Sequence, residues 1–354
     1  MAILNVDLEL PCRLDRYLKK LYPSLTQGVI ERALRFKRIM VNSCKVAANL
    51  RINVGDKIFI EDSLNLQTLK TSDRIFTSSA IKLAGKLLKD YLIYQDDWFI
   101  AINKPSGLAT QGGSKITLSI DDALQYLNGR GADFKLVHRL DKDTSGILLI
   151  AKNYASSIKL VKAFQEKDIQ KTYIAVVLGK LPQSEGEISG MIGKNRGGAY
   201  ETVQNDEENG KLSITRYKFL KNLDSRPLAK LVYAQGFVGD TSPRTAAYSS
   251  VREDSSAAST YKLAAEVEFC KRSNGLTLVE FTPLTGRMHQ LRFHAKMLAC
   301  PILGDRKYGT LEAIALSKEM LLHAKKIILP EKIFGKEIII DTSLPSYFSI
   351  FCNR

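Results

Sequence analysis

The amino-acid sequence predicts an α+β protein: a small N-terminal helix hairpin with short strands, a linker, and a larger domain on a mixed, largely antiparallel sheet carrying a disordered insertion. Three observations predict it. Helical spacing of apolar residues opens the chain between residues 14 and 35. From about residue 91, strand-like runs follow one another across short turns instead of alternating regularly with helices. A polar, small-residue stretch then separates runs that otherwise read as neighbouring antiparallel strands.

Residues 1–62 form the first module. Leu14, Leu18 and Leu21 recur at helical spacing up to Pro23. Thr26 is placed to cap a second helix, with Val29, Ile30, Ala33 and Leu34 on one face and Arg32, Arg35, Lys37 and Arg38 crowding the helix and its exit. Short strands follow at 38–42 and 56–61, the second introduced by a turn at Gly55. Residues 63–90 are rich in Ser, Thr and Lys and read as a linker. The main domain, 91–354, opens with a strand pair closing on Pro105-Ser106-Gly107 and continues with a buried strand in GILLIAK. Next come a helix and strand in KLVKAFQEKDIQKTYIAVVLG, strands at 214–222, 263–271 and 276–284, and a helix beginning near Met288. The stretch 224–262 reads as a disordered surface insertion at a hairpin tip.

Composition bounds the function classes. Lys and Arg number 52 against 37 Asp and Glu, a net charge of +15, and such an excess favours polyanionic partners through counterion release. The five cysteines form no C-x-x-C pair, which argues against a structural zinc site and a disulfide framework and points to a reducing compartment. No apolar run approaches the roughly 18 residues of a membrane span, and the N-terminus lacks a signal layout. The expectation is therefore a cytoplasmic protein without membrane attachment. With no sustained heptads, it is expected to be a monomer.

Two clusters concentrate the chemistry. In His138-Arg139-Leu140-Asp141, followed by Lys142, Asp143, Thr144, Ser145 and Gly146, a carboxylate sits among cations at the entry to a buried strand. That is a rigid place to present Asp141, with an adjacent arginine to stabilise its charge; a plain strand-entry turn with a local salt bridge is the structural alternative. The second cluster runs from Pro283 to Arg292, with His294 beyond. Arg287, Gln290 and His294 fall on one face by 3–4 spacing, and His289 and Arg292 on a neighbouring one. His289 and His294 are five apart with no Glu between them, so no metal site is expected.

These motifs resemble those of the RluA-type pseudouridine synthases over nearly the whole chain outside the insertion. HRLDKDTSG is similar to the family's central motif, NKPSG (103–107) to its first, KTY (171–173) to its tyrosine motif and PLTGRMHQLRFH to its late motif; GDRKYG (304–309) and LLHA (321–324) match further landmarks. The N-terminal module resembles the S4-type RNA-binding domain of ribosomal small-subunit protein four. With GGS at 112–114, it points to the branch acting on large-subunit ribosomal RNA.

The resemblance implies Asp141 as catalytic carboxylate, Tyr173 against the target uracil, and Arg287 paired with Asp141. It implies Leu291 packed on the base, Arg139 filling the hole left by the flipped nucleotide, and His138, Gln290 and His289 orienting these groups, with Arg139, Leu291, His138 and Gln290 as the substrate-binding residues. Lys104 would support fold or backbone, and Arg32, Arg35, Lys37 and Arg38 would bind RNA. Positions 108–111 (LATQ) lack the family's histidine, so that loop's contacts do not carry over, and the insertion is not a family feature.

The implied reaction breaks a glycosidic C–N bond, turns the uracil and forms a C–C bond, and it calls for no cofactor. A carboxylate can serve it as nucleophile or as base, and the target base must first be flipped out. The expected partner is large-subunit ribosomal RNA or a ribosome assembly intermediate. The rival readings are a transfer-RNA pseudouridine synthase and a non-catalytic RNA-binding or assembly factor. A zinc-dependent deaminase is excluded by the missing zinc signature, and a glycosylase would release free base.

Overall fold

A computed structural model describes residues 2–7, 11–22, 25–64, 76–113, 116–195, 202–223 and 275–352. The chain divides into two compact units, Met1–Phe76 and Thr77–Arg354. The sequence expectations at 224–262 and 263–271 lie outside the described residues.

Among the described residues of the first unit, helices α1 (Leu14–Leu21) and α2 (Gln27–Arg35) accompany five short strands. A three-stranded sheet pairs β1 (Ala2–Asn5) with β5 (Lys57–Ile60) and β5 with β3 (Ile39–Val41); β2 (Cys12–Arg13) pairs with β4 (Arg51–Ile52). Thr26 caps α2 by accepting from the Val29 N–H. Leu14, Leu18, Ile30, Ala33 and Leu34 are buried in one apolar core with Ile39, Ile52 and Ile58. Val29, expected on the same face, is exposed, because 3.6-residue periodicity turns it outward from Ile30. Arg32, Arg35, Lys37 and Arg38 are all exposed, with Arg38 3.4 Å from Glu61.

The second unit opens with α3 (Ser78–Lys89), where a linker was expected. Thr77 caps it, and Ala80, Leu83, Ala84 and Leu87 recur at helical spacing and are buried. Leu83, Ala84 and Leu87 join the core beside Ile120 and Leu124 of α4 (Ile120–Asn128). Between 77 and 89 the Ser, Thr and Lys residues belong to the helix's solvent face and its cap; residues 65–75 of the expected linker lie outside the described residues.

An eleven-stranded sheet forms the body, in the order β12-β11-β13-β14-β10-β15-β9-β7-β6, with β8 on β9 and β16 on β15. The strands are β6 (Leu92–Gln95), β7 (Phe99–Lys104), β8 (Lys135–Leu136), β9 (Ser145–Ala151), β10 (Gln170–Leu178), β11 (Glu185–Asn195), β12 (Thr202–Asn205), β13 (Lys211–Leu223), β14 (Leu276–Pro283), β15 (Leu322–Leu329) and β16 (Ile338–Asp341). All described pairings are antiparallel except β15 with β9.

β9 is buried along its whole length because helices cover both faces of the sheet there. Ile147, Leu149 and Ala151 pack with Leu160 and Ala163 of α5 (Tyr154–Gln165), while Leu148 and Ile150 pack with α3 and α4. Each of the leucines and isoleucines among them contributes about 1.5–3 kcal/mol by burial. Among the described residues no helix is long and apolar enough to cross a membrane.

Candidate active site

Asp141 sits in the turn that feeds β9, and that turn is clamped from the NKPSG segment. The Lys104 ammonium, fully buried, donates to the carbonyls of Pro105 (3.0 Å), Leu108 (2.8 Å) and Lys142 (3.0 Å). Three acceptors use all three ammonium protons. Burial pushes the Lys104 amine down to about 7, against the upward pull of Asp141 and Asp143. Ser106 Oγ donates to the Asp143 carbonyl (2.8 Å). Thr110 Oγ1 donates to the Leu140 carbonyl (2.8 Å) and accepts the Leu140 N–H (3.2 Å). The backbone is thus held at 140, 142 and 143. Thr110 lies in the segment whose contacts the sequence left open.

Gly146 fixes the turn's far end. Its φ is +108°, and a Cβ there would lie 2.3 Å from the Ala324 carbonyl oxygen, where β9 and β15 pair in parallel. Only glycine allows this approach.

A cavity of about 760 Å³ opens beside Asp141. It is lined by Arg139, Tyr173, Arg287, His289, Leu291 and Arg292 among others, a size suited to a small organic ligand. Tyr173 reaches it from β10 beside a register shift at Thr172/Tyr173. Burial, reinforced by the Asp141 charge, drives its phenol well above the ordinary value, so it is neutral. Leu291 is buried, and Arg139 is exposed while lining the cavity.

The cation facing Asp141 is Arg292, not Arg287. Arg292 Nη1 donates to Asp141 Oδ2 at 3.3 Å, while its Nε and Nη2 grip Asp305 Oδ2 (2.8 Å) and Oδ1 (2.5 Å). Burial alone would lower Arg292, but Asp305 and Asp141 hold it above its ordinary value. Burial alone would raise Asp305, and Arg292 with the Lys307 and Tyr308 N–H groups brings it below the usual carboxylate range. Arg287 precedes α6 (Gln290–Met297), and its Nε donates to the Leu212 carbonyl at 3.1 Å. It lines the cavity without pairing with Asp141. The reason is local: Arg287 lies exposed in the turn that precedes α6, whereas Arg292 lies within the helix and is buried.

Gln290 also differs from expectation. Its Nε2 donates to the Ile214 carbonyl and to Thr215 Oγ1, both at 2.9 Å. Its Oε1 accepts from Thr285 Oγ1 (2.7 Å) and the Arg287 N–H (3.0 Å). The amide is saturated by the turn it ties down, leaving nothing to bind substrate. One helical turn on, His294 bridges Thr215 Oγ1 (2.8 Å) and Ser213 Oγ (2.9 Å), extending the same lattice onto β13.

His138 Nε2 accepts the Leu149 N–H at 2.8 Å and its ring stacks on Phe164. Burial, with Lys171 nearby, pushes it down to about 3, so it is a neutral acceptor fixing the 138–141 turn to β9. His289 Nε2 lies 3.8 Å from Asp141 Oδ2. Sequence reasoning missed Asp305 as Arg292's anchor and Tyr308 as His289's partner. Their signal was the GDRKYG segment, which the resemblance marks only as a landmark.

A model of the RNA pseudouridylate synthase family matches residues 98–297, more than half of the 354-residue chain. The chain is 52% identical over 347 residues to "Ribosomal large subunit pseudouridine synthase C" of Rickettsia felis, covering 98% of each. It is equally identical, with the same coverage, to the protein of that name from Rickettsia conorii. Among solved structures it is similar to "Human RNA Pseudouridylate Synthase Domain Containing 1", with a TM-score of 0.52 and 25% identity over 74% of this chain and 87% of that one.

Proposed function

Because the chain belongs to the RNA pseudouridylate synthase family, we propose that it converts particular uridines of large-subunit ribosomal RNA to pseudouridine, with Asp141 as the catalytic carboxylate. The observation that carries the reading is the meeting of Asp141, Tyr173 and Arg292 around one cavity. In the reaction the C1′–N1 bond breaks, the uracil turns, and C1′ bonds to C5. The C5 proton leaves and N1 takes one up, so nothing is gained or lost from the RNA as a whole.

The flipped uridine enters the cavity with its ring against Tyr173 and Leu291. Stacking on the phenol returns about 1–3 kcal/mol of the unstacking cost. Tyr173 stays protonated in this setting and serves as a wall and hydrogen-bonding group rather than a base. Asp141 reaches the sugar or base as nucleophile, or draws off a proton. Arg139 at the rim fills the vacated stack, Arg287 contacts the backbone at the entry, and Arg32, Arg35, Lys37 and Arg38 grip phosphates. Within the same reading the first unit is the RNA-binding domain, and the enzyme works in the cytoplasm as a monomer. Sedimentation of the pure protein as a dimer would count against the last point.

The test is pseudouridine mapping of large-subunit ribosomal RNA, by carbodiimide and primer extension, in cells lacking the protein and rescued with wild type or Asp141→Asn. Specific stops should vanish and return only with wild type. If stops are lost from transfer RNA alone, the substrate assignment fails. If Asp141→Asn restores them, the protein acts as a non-catalytic RNA binder at those sites.

A further inference from the structure

The loop Gly304–Gly309 does not line the cavity, yet two of its side chains stand behind both groups that face Asp141. Asp305 holds Arg292 through two hydrogen bonds at 2.8 and 2.5 Å. Tyr308 holds His289. Its hydroxyl oxygen accepts the Val203 N–H at 2.7 Å, so its one proton is available to His289 Nδ1, 2.8 Å away. A ring nitrogen that accepts leaves the proton of a neutral imidazole on the other nitrogen. That nitrogen, Nε2, lies 3.8 Å from Asp141 Oδ2, the same oxygen that Arg292 reaches at 3.3 Å. The remaining 3.8 Å is one small adjustment from a hydrogen bond, of the kind that closes when substrate binds.

We propose that Asp305 and Tyr308 are positioning residues of a two-armed clamp on Asp141: Asp305 sets Arg292, Tyr308 sets His289 with its Nε2–H toward Asp141, and both arms hold Oδ2 so that Oδ1 is presented to the uridine. The proposal rests on the reading of Asp141 as the catalytic carboxylate.

The local backbone is built for this. Gly304 has φ +74°, and a Cβ on it would lie 2.1 Å from the Glu319 carbonyl oxygen; a Cβ on Gly309 would lie 2.5 Å from the Asp305 carbonyl oxygen. No side chain fits at either end, so the loop is fixed where it is. His289 itself has φ +53°, an uncommon region for a residue with a side chain, held here by its surroundings. The ring is faced by Asp141, Arg292, Lys307, Asp305 and Tyr308. Burial lowers His289 to about 4, with Arg292 and Lys307 acting the same way and Asp141 and Asp305 opposing. The ring is therefore neutral, as the tautomer argument needs. Tyr308 also supports the other arm, with the Arg292 guanidinium carbon 5.3 Å from its ring centre.

Tyr308→Phe isolates the hydroxyl, because the ring and its contacts with Arg292 and Phe293 remain. The assay is single-turnover release of tritium from RNA labelled at uracil C5, with the full chain, from about pH 3.5 to about pH 9, a window that brackets the wild-type His289 limb. Tyr308→Phe should slow the step about 10-fold, the scale of losing one supporting partner, with RNA affinity unchanged. Its acid limb should move to higher pH, because protonating Nδ1 no longer breaks a hydrogen bond. His289→Gln keeps a donor near Asp141 but cannot titrate, so it should lack that shift, and adding Tyr308→Phe to it should cost nothing more.

A wild-type rate and acid limb in Tyr308→Phe, or losses that multiply in the double variant, would overturn the clamp. Nitrogen NMR of the wild-type ring gives a readout independent of any variant: a proton on Nε2 supports the proposal and one on Nδ1 sinks it. Asp141→Asn serves as the separate arm. If that variant is active, the reading of Asp141 fails, whatever Tyr308 does.

Discussion

Replacing Asp305 by Asn tests the buried ion pair behind the site. Arg292 and Asp305 side chains are 3% and 1% exposed and share two short hydrogen bonds. Asn can keep the acceptor that the Lys307 and Tyr308 N–H groups use at Oδ1. It must, however, turn an NH2 toward Arg292 Nε, donor against donor, and it removes the fully buried charge opposing the guanidinium. Breaking such a pair from one side costs about 3–5 kcal/mol. Because Arg292 retains Asp141 at 3.3 Å, the lower end is expected, about 3 kcal/mol. Urea unfolding followed by circular dichroism measures it. Against a total of about 5–15 kcal/mol, the variant should remain folded at room temperature but lose single-turnover activity as Arg292 drifts. Adding Arg292→Met should restore part of the stability by removing the stranded charge, without restoring activity. Asp305 is held below its ordinary value, so the pair's contribution is present above about pH 4 and lost as pH falls through the folded value. The gap between wild type and Asp305→Asn should narrow in acid. A cost under about 1 kcal/mol at pH 7, or a double variant weaker than the single, would refute the reasoning.

Four further outcomes are expected. Arg292→Ala should lower the single-turnover rate by about 10²-fold or more, the scale of stripping a partner from a buried charge, whereas Arg287→Ala should weaken RNA binding and leave chemistry within a few-fold; the reverse ranking would restore Arg287 as the cation of the site. Gly146→Ala should cost more than about 3 kcal/mol or prevent folding, since both its φ of +108° and the Ala324 carbonyl oppose a Cβ; a soluble variant melting like wild type would contradict this. All four histidines are lowered, His138 to about 3 and His289, His294 and His323 to about 4, chiefly by burial. The unfolded chain therefore binds protons that the folded one refuses, and stability present above about pH 6.5 should fall towards pH 4, by about 2 kcal/mol per histidine at pH 5; a flat denaturation midpoint between pH 7 and 5 would refute it. Changing Arg32, Arg35, Lys37 and Arg38 together to Ala should flatten the salt dependence of RNA binding by about 0.7 for each phosphate no longer neutralised, and an unchanged slope would remove these residues from the interface.

Much of the fold was legible because its strands and helices bury apolar residues at their own period. Residues 146–151 of GILLIAK lie within β9, buried on both faces, and Thr26 caps α2 through its hydroxyl. The helix at the C-terminal end of the expected linker was missed for a related reason. Four small or aliphatic residues, Ala80, Leu83, Ala84 and Leu87, carry the buried face of α3, and the eight around them are weak in pattern. A stripe of alanines and leucines among Ser and Lys is read as helix only once a sheet is there to receive it.

The site divides along the same line. Asp141 and Tyr173 could be named because each stands in a distinctive run and reaches the cavity directly from its own strand or strand entry. Which arginine faces Asp141 could not be read from spacing, because the helical face assigned to Arg287 presupposes a helix that begins only at Gln290. What decides between them is desolvation. Inside the protein an arginine needs a second carboxylate, and Asp305, thirteen residues further on, supplies it to Arg292 alone. Arg287, at the helix entry, is satisfied by one backbone carbonyl and the solvent. The GDRKYG segment therefore decides which cation faces the Asp141 turn. A buried charge is placed by the partner that makes its burial affordable, and that partner is distant in sequence.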